Sequence, residues 1–431
     1  MSASVRPARP EDRPPRGVGR RILLAASGDP GHAFPAIALG RALALHGHDA
    51  WLETDERWHG HAEREGLRVA AAPGLPVLPS AGRRLRPYAA TAHAATATRA
   101  LVREVEPDLV VADVLSVAAG LAAELEARPW ATLVPHLLPL PEPGLPPFSC
   151  GARPPRTRAG RRAWAALDPL WLRAIRSGRD ELNAVRRRLG LAPLPHLLPG
   201  LSRTLTLVAT FPQLEPPRAT PPPFARVTGP LLWELPAEHV DPPEGDEPLV
   251  IVAPSTSQDR GQRMLRAALE GLADEPVRVL AVHGPRGLPW GVRVPVNTRV
   301  VAWASYAHAM PRAAVVVCHG GHGTVARALA SGVPVLACPA AGDMAENGAR
   351  LRWTGVGRSL PRPLAGPRGI RRAVRRLLAD EAARARAGEL AQWAETHDGA
   401  ERAANEVERA LGVTPVGRKL PGLDSNQQPF A

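Results

Sequence analysis

Short apolar runs alternate with longer helical patterns along the first half of the chain. Runs of four to seven apolar residues favour buried strands, and apolar residues recurring every three or four positions favour helices. The segments follow in this order: strand-like 21–27, helical 36–46, strand-like 49–54, strand-like 109–112 ending at Asp113, helical 117–127 and strand-like 130–135. This alternation predicts βαβ units, and therefore a parallel sheet covered by helices on both faces.

A second set of alternating segments begins after residue 245. Its members are strand-like 249–253, helical 264–272, strand-like 277–282, strand-like 299–303, strand-like 313–317, helical 325–331, strand-like 335–339, and final helices at 370–378 and 381–411. The expected fold class is α/β, with two facing Rossmann-like domains. Ligands of such sheets gather at the carboxyl ends of the strands.

Proline clusters indicate where one domain ends and the next begins. Prolines concentrate at 216–223 and 236–248, a composition suited to an interdomain connector. The 431 residues are enough for two domains of ordinary size. We predict a disordered arm at 1–19, an acceptor-binding domain at 20–245, a donor-binding domain at 246–412 and a tail at 413–431.

The amino-acid composition limits the classes of binding partner that we expect. The formal charge of +13 comes almost wholly from arginine, because Lys419 is the only lysine. This bias is typical of GC-rich bacterial coding, and no aromatic-interleaved basic stripe accompanies it, so nucleic acid is not an expected partner. Cys150, Cys318 and Cys338 lack metal-like spacing, which fits a reducing cytoplasm. The sequence has no apolar stretch of bilayer length, so we expect contact with a membrane to be peripheral at most.

A basic helical segment at 161–191 contains Trp164 and Trp171. The tryptophans either pack inward while the arginines stay in water, or line an acceptor pocket, or rest on a membrane surface. The first interpretation is the simplest, and the sequence leaves the other two open.

The most informative stretch is a glycine-rich turn, Cys318-His319-Gly320-Gly321-His322-Gly323-Thr324, between a strand-like run and a helical one. Such a turn leaves backbone N–H groups unpaired at the helix N-terminus, where the helix dipole also favours negative charge. It predicts a seat for phosphate. His322 has no evident part in this seat and is expected to face solvent.

Further signals follow the turn. Gly332-Val333-Pro334 ends the helix, and the strand-like run at 335–339 leads into a polar segment with Asp343, Glu346 and Asn347. We interpret that segment as a second ligand-facing loop.

The order His-Gly-Gly-x-Gly-Thr, Ala-Leu-x-x-Gly-Val-Pro and Pro-x-x-x-Asp-x-x-x-Asn, over residues 303–357, resembles the donor-binding signature of the UDP-glycosyltransferase-like family. The resemblance is to the family-1 type that acts on macrolides and other natural products, and it implies the GT-B fold.

The resemblance implies a role for each matching donor-site residue. His319, Gly320, Gly321 and Gly323 would hold the diphosphate, and Thr324 would offer its hydroxyl. The other candidates are Trp303 for the base, Asp343 for sugar hydroxyls, Asn347 near the phosphates and, by a loose alignment, Thr256 for a phosphate. For Trp303 the alternative is a core tryptophan. Met344 replaces the family's usual glutamine, which leaves a deoxygenated or otherwise modified hexose open.

The opening segment Gly31-His32-Ala33-Phe34-Pro35 resembles the family's Gly-His-x-x-Pro segment, whose histidine deprotonates the acceptor. His32 is therefore the candidate general base. A histidine suits this role because its ordinary pKa near 6.5 leaves it largely neutral at cellular pH. Asp113 occupies the place of the aspartate that orients this histidine.

The resemblance implies an inverting, metal-independent transfer of a hexose from a UDP- or dTDP-sugar to a hydroxyl of a small lipophilic acceptor. No cofactor is expected. The alternatives are a non-catalytic nucleotide-sugar-binding or helper protein and, with less support, a nucleotide-sugar epimerase of the same fold.

Overall fold

The computed structural model describes residues 19–73, 88, 90–237, 239–255, 259, 261–340 and 342–414. Within these residues the strands form two sheets, of seven and six strands, in which every neighbouring pair is parallel. We call the first sheet with its helices the first lobe, and the second sheet with its helices the second lobe. The predicted α/β class with two parallel sheets is confirmed.

The first sheet has the strand order β3-β2-β1-β4-β5-β6-β7. Its strands are β1 (Arg21–Ala25), β2 (Asp49–Thr54), β3 (Arg68–Ala71), β4 (Leu109–Asp113), β5 (Trp130–Val134), β6 (Thr206–Val208) and β7 (Ala225–Val227). The accompanying helices are α1 (Pro30–Leu45), α2 (His59–Arg64), α3 (Thr91–Val105), α4 (Val117–Leu125) and α5 (Arg158–Arg188).

The second sheet has the order β10-β9-β8-β11-β12-β13. Its strands are β8 (Leu249–Ala253), β9 (Arg278–Val282), β10 (Thr298–Val301), β11 (Val315–Cys318), β12 (Val335–Ala337) and β13 (Gly357–Ser359). The helices are α6 (Arg263–Leu272), α7 (Tyr306–Ala309), α8 (His322–Ala330), α9 (Gly342–Thr354), α10 (Pro367–Leu378), α11 (Glu381–Thr396) and α12 (Gly399–Ala410).

The central strands are buried on both faces, which explains their unbroken apolar sequences. Every residue of β4, β8 and β11 is buried, and Cys318 and Cys338 are packed as small apolar groups. Helices cover both sides of each sheet and complete the apolar cores.

Each sheet reverses its strand order at one point, between β1 and β4 in the first and between β8 and β11 in the second. At these points the connections leave toward opposite sides, and a crevice opens at the carboxyl ends of the strands. His32 follows β1 and Asp113 ends β4, whereas His319 follows β11. The candidate residues therefore lie at the two crevices.

Two helix predictions were wrong in detail. The predicted polar loop after β12 is the start of helix α9, with Asp343 in its first turn. The predicted long helix at 381–411 is two helices, because Asp398 caps a new one by accepting from the amides of Ala400 and Glu401.

The last helix, α12, follows the second sheet in the chain but packs on the first lobe. Ala403, Ala404 and Val407 of α12 join the core beneath α1. At the end of α1, Nδ1 and Nε2 of His46 lie 2.9 Å and 3.0 Å from carboxylate oxygens of Glu408 and Glu401. The helix thus ties the two lobes together.

The basic segment predicted at 161–191 is the long helix α5. Trp164 and Trp171 are half-buried on it, whereas Leu167 and Leu170 are exposed. Among the described residues, no helix is both long and apolar enough to cross a membrane.

Candidate active site

His32 and Asp113 form a hydrogen-bonded pair at the reversal point of the first sheet. β1 and β4 run side by side in parallel, with Ala25 opposite Ala112, so the residues after them emerge together. Asp29 caps α1 through the Gly31 amide and Pro30 takes the first helical position, which places His32 in the first turn. The His32 Nδ1 atom lies 2.8 Å from Asp113 Oδ1.

The surroundings of Asp113 determine which nitrogen of His32 carries the proton. The aspartate side chain is fully buried, and its other oxygen accepts from the Leu115 amide at 3.0 Å. A carboxylate only accepts hydrogen bonds, so Nδ1 of His32 is the donor. The Nε2 lone pair remains available as a base, and the imidazole is 17% exposed.

The pKa of His32 results from opposing effects. Burial lowers this pKa. The charge and hydrogen bond of Asp113, together with the charges of Asp29 and Asp343, raise it by more than burial lowers it, so the pKa of His32 lies above its ordinary value. Asp343 belongs to the second lobe. Charges from both lobes therefore act on the pKa of His32.

The glycine turn of the second lobe has the backbone that the sequence pattern predicts. Gly320 has φ +83°, a conformation that side chains disfavour. A Cβ on Gly321 would lie 2.2 Å from His319 Nε2, so that ring packs directly over the turn. Helix α8 starts after Gly321 without a side-chain cap, so its N-terminus is suited to an anion.

His319 is held at the side of this turn. Its Nδ1 lies 3.4 Å from the Ala253 carbonyl oxygen at the end of β8. Burial lowers the pKa of His319, although the charges of Asp343, Asp29 and Asp259 oppose the change. The ring is therefore neutral and donates through Nδ1.

Asn347 and His322 brace the turn from inside. The Asn347 amide nitrogen donates to the Gly320 carbonyl at 2.9 Å, and its oxygen lies 3.2 Å from His322 Nδ1. His322 Nε2 is 3.1 Å from the carbonyl of Ala209 in the first lobe. The expectation that His322 faces solvent is wrong, because this ring is buried where the lobes meet. Burial lowers its pKa to about 4, so the neutral ring donates to one of these two oxygens.

The remaining predicted residues are placed as follows. Trp303 follows β10 and is 43% exposed, so the alternative of a core tryptophan is wrong. Thr324 is half-buried in the first turn of α8, and a Cβ on Gly323 would meet open space. Thr256 lies outside the described residues.

One residue of the site escaped the sequence patterns. His136 follows β5, stacks on Phe148 with ring centroids 5.2 Å apart, and has its Nδ1 2.7 Å from the Leu137 carbonyl oxygen. Burial lowers its pKa to about 4, with a further contribution from the nearby His32. The signal in the sequence was its place, since β5 is the neighbour of β4 and ends at the same edge of the sheet.

The described residues contain no group of three His, Cys, Asp or Glu side chains that could hold a metal ion. They do hold a histidine hydrogen-bonded to a buried carboxylate in one lobe and a helix N-terminus without a side-chain cap in the other. Such a set suits the removal of a proton next to a departing anion.

Comparison with known proteins gives consistent matches. Residues 274–409 match the family described as "Erythromycin biosynthesis protein CIII-like, C-terminal domain". The chain is 29% identical over 406 residues to 4'-demethylrebeccamycin synthase of Lentzea aerocolonigenes, covering 86% of this chain and 95% of that protein. It is 32% identical over 327 residues to a PGL/p-HBAD biosynthesis glycosyltransferase of Mycobacterium tuberculosis, covering 72% of this chain and 71% of that protein.

Solved structures share the fold. The glycosyltransferase of kitacinnamycin superposes with a TM-score of 0.74 at 21% identity, over 91% of this chain and 99% of that one. Glycosyltransferase VinC in complex with dTDP superposes with a TM-score of 0.65 at 20% identity, again over 91% and 99% of the two chains.

Proposed function

This chain belongs to the UDP-glycosyltransferase-like family and is a nucleotide-sugar glycosyltransferase, and on that premise we propose its chemistry. It transfers a hexose from a UDP- or dTDP-sugar to a hydroxyl of a small lipophilic acceptor of the natural-product class. The transfer inverts the anomeric carbon, with His32 as general base and Asp113 as its orienting partner. The observation that carries this proposal is the buried pair of His32 and Asp113, whose Nδ1 and Oδ1 atoms are 2.8 Å apart at the reversal point of the first sheet.

The proton and bond changes follow from this arrangement. The acceptor O–H gives its proton to His32 Nε2 while the oxygen forms a bond to the anomeric carbon. The bond from that carbon to the diphosphate oxygen breaks, and the electron pair leaves with the diphosphate. Asp113 stabilises the resulting imidazolium, as a carboxylate does for the histidine of a hydrolase triad.

The diphosphate binds at the N-terminus of α8 without a metal ion. The uncapped amides and the helix dipole favour the charge that develops on the leaving group, and the His319 ring lies over the same turn. Asn347 supports this seat from below through the Gly320 carbonyl, so its part is structural.

The rest of the donor is held by residues around the turn. Trp303, exposed after β10, offers a face on which the base stacks, and Asp343 accepts hydrogen bonds from the sugar. Thr256 and Thr324 stay candidates for phosphate contacts. Met344 is buried in the first turn of α9 and offers no hydrogen bond, which favours a hexose with fewer hydroxyl groups.

The names of related proteins support the acceptor class. One relative is named 4'-demethylrebeccamycin synthase, another is named a PGL/p-HBAD biosynthesis glycosyltransferase, and the structure of VinC is a complex with dTDP. These names favour a natural-product hydroxyl as acceptor and admit dTDP as the nucleotide.

Release of nucleotide diphosphate from UDP- and dTDP-hexoses with phenolic and macrolide acceptors tests the proposal. We expect acceptor-dependent release that falls by about 10²- to 10⁴-fold in His32→Ala, because general base catalysis is lost. His93→Ala, at an exposed histidine of α3, is the matched control and should keep wild-type activity.

Other results would contradict the proposal in distinct ways. Full activity in His32→Ala would remove the base from the mechanism. Nucleotide binding without turnover for any acceptor would favour a non-catalytic binding protein. Release of free nucleotide without an acceptor would favour an epimerase.

A further inference from the structure

Residues 148–156 of the first lobe form hydrogen bonds with helix α9 of the second lobe. We call this segment the clasp. The Ser149 amide donates to Glu346 Oε2 at 3.1 Å. Arg352 donates to the Gly151 carbonyl at 3.0 Å, and Arg156 donates to the Trp353 carbonyl at 2.6 Å. These three hydrogen bonds hold the clasp along the length of α9.

The backbones also approach closely here. A Cβ on Gly151, whose φ is +72°, would lie 3.0 Å from the Ala345 Cβ. Glycine therefore lets the segment lie directly against the helix. The closeness makes the clasp sensitive to the position of α9.

Glu346 is the most buried participant in this contact. The residue is 1% exposed, its Oε1 pairs with Arg350 one turn later on α9, and its Oε2 is the acceptor for Ser149. Burial raises the pKa of Glu346, and the charge of Arg350 and the Ser149 hydrogen bond oppose that shift. Because both oxygens of this buried carboxylate have hydrogen-bond partners, the orientation of the Glu346 side chain is fixed.

Ser149 has an unusual backbone conformation. Its φ of +71° lies in the left-handed region, which a non-glycine residue adopts only when its surroundings hold it there. The hydrogen bond to Glu346 supplies such a constraint from the opposite lobe.

A stacking contact connects the residue before Ser149 with the end of β5, the strand whose Leu133 lies opposite Asp113. Phe148 precedes Ser149 and stacks on His136, whose pKa responds to the charges of His32 and Asp113. The other end of this loop is anchored within the first lobe, where the Leu138 amide donates to Glu215 at 2.7 Å. The loop is thus packed on His136 of the first lobe and hydrogen-bonded to α9 of the second lobe.

Glu346 and Asp343 lie three residues apart in α9, on neighbouring positions of one helical face. If the helix moved, Asp343, which is proposed to bind the sugar, and Glu346, which binds the clasp, would therefore move at the same time.

We propose that Glu346 is a positioning residue for sugar transfer, which holds the Ser149 amide so that Phe148 and His136 are seated beside His32 while α9 presents Asp343. It contacts no reacting atom. The inference rests on the proposed function, because the catalytic step it assists is the one assigned to His32.

Three variants test the role: Glu346→Ala, Glu346→Gln and the control Glu389→Ala, at an exposed glutamate of α11. The alanine variant removes the acceptor for Ser149, whereas the glutamine oxygen can still accept. We expect the Ser149 amide to exchange hydrogen about tenfold faster in Glu346→Ala, the ratio typical of losing a buried hydrogen bond to a charged group. Glu346→Gln should lie nearer to wild type.

Binding and turnover are measured on the same variants. We expect the Kd for UDP and dTDP to stay within about twofold of wild type, since the nucleotide seat is elsewhere. The kcat/KM for the acceptor should fall about tenfold in Glu346→Ala, because the seating of the base is lost. Glu389→Ala should change neither quantity.

Three results would overturn the proposal. One is unchanged exchange at Ser149 in Glu346→Ala. Another is faster exchange with unchanged acceptor turnover. The third is a parallel loss of nucleotide affinity, turnover and Tm, which would make Glu346 a stabilising residue of the second lobe only.

Failure of the proposed function gives a different pattern. If the wild-type protein turned over no donor, or if His32→Ala kept full activity, the catalytic assignment would fail. The exchange measurement at Ser149 needs no turnover, so it would still decide whether Glu346 holds the clasp.

Discussion

Two strand–turn–helix units meet at the candidate site, β1 to α1 in the first lobe and β11 to α8 in the second. The first helix is capped by Asp29 and begins with Pro30. The second begins after Gly320 and Gly321 and has no side-chain cap. Each unit follows a parallel strand at the reversal point of its sheet, so the backbone plan is shared.

The electrostatics of the two units differ. Around His32 the carboxylates of Asp113, Asp29 and Asp343 outweigh burial and raise the pKa. For His319 burial prevails and lowers the pKa. Under the proposed function, the same local fold serves a proton acceptor where carboxylates cluster and an anion site where glycines leave the amides open. Side chains at the helix start, and not the backbone plan, distinguish the two units.

The largest expected effect comes from removing the charge that defines the first unit. Asp113→Asn should lower kcat by about 10²- to 10⁴-fold, because the orientation of His32 and the stabilisation of its imidazolium are lost. Activity of the wild-type protein should rise with pH through an apparent pKa above 6.5, since only the neutral imidazole accepts a proton. In the variant this apparent pKa should move down.

A pH profile of kcat/KM measures both effects. Asp274→Asn, at an exposed aspartate of the second lobe, is the matched control and should reproduce the wild-type profile. An unshifted profile in Asp113→Asn would mean that the carboxylate does not set the proton affinity of the base.

The next effect concerns the second unit. In Gly321→Ala the new methyl group would displace the His319 ring, so we expect the Kd for UDP or dTDP to rise about tenfold. Calorimetric titration measures this change. The Tm should change little, because the obstructing atom is a movable side chain and not backbone.

Gly388→Ala in α11 is the control for Gly321→Ala, because a Cβ there meets open space. An unaltered nucleotide affinity in Gly321→Ala would show that the geometry of this turn does not hold the diphosphate.

The smallest effect tests how the lobes are joined. Burial lowers the pKa of His46, but its hydrogen bonds to Glu408 and Glu401 raise this pKa by a larger amount. The folded protein therefore binds the second proton of the His46 imidazole more tightly than the unfolded chain does. The resulting stability is complete below the unfolded pKa of about 6.5 and is lost as the pH rises through the folded pKa. His46→Gln should therefore lower the free energy of unfolding more at pH 6 than at pH 9.

Urea unfolding of wild type and His46→Gln at the two pH values measures this difference. His59→Gln is the control, because the described contacts of His59 include no carboxylate. This variant should show no such pH dependence. A difference that grows with pH would contradict the assignment of a charged His46.

Most of the fold followed from local patterns. Buried β-branched runs such as β4 and β8, helical periodicity between them, and glycine or proline at the turns predicted the order of elements and the two parallel sheets. The error at α9 has a physical cause. Its polar residues Glu346 and Asn347 resemble a loop in sequence, but tertiary partners satisfy them inside a helix.

Local patterns in the sequence predicted the α/β class and the glycine turn, because strand periodicity and turn chemistry act over a few residues. The candidate pair His32 and Asp113 came from the resemblance of the segments around them to a family signature. The tertiary structure decided what depends on distant partners: Ser149 and Glu346 are 197 positions apart, and His46 and Glu408 are 362 apart. The burial of His322 and the place of His136 are likewise set by both lobes or by neighbouring strands. Local sequence preferences cannot predict such contacts, because the contacts exist only once the sheets have formed and packed.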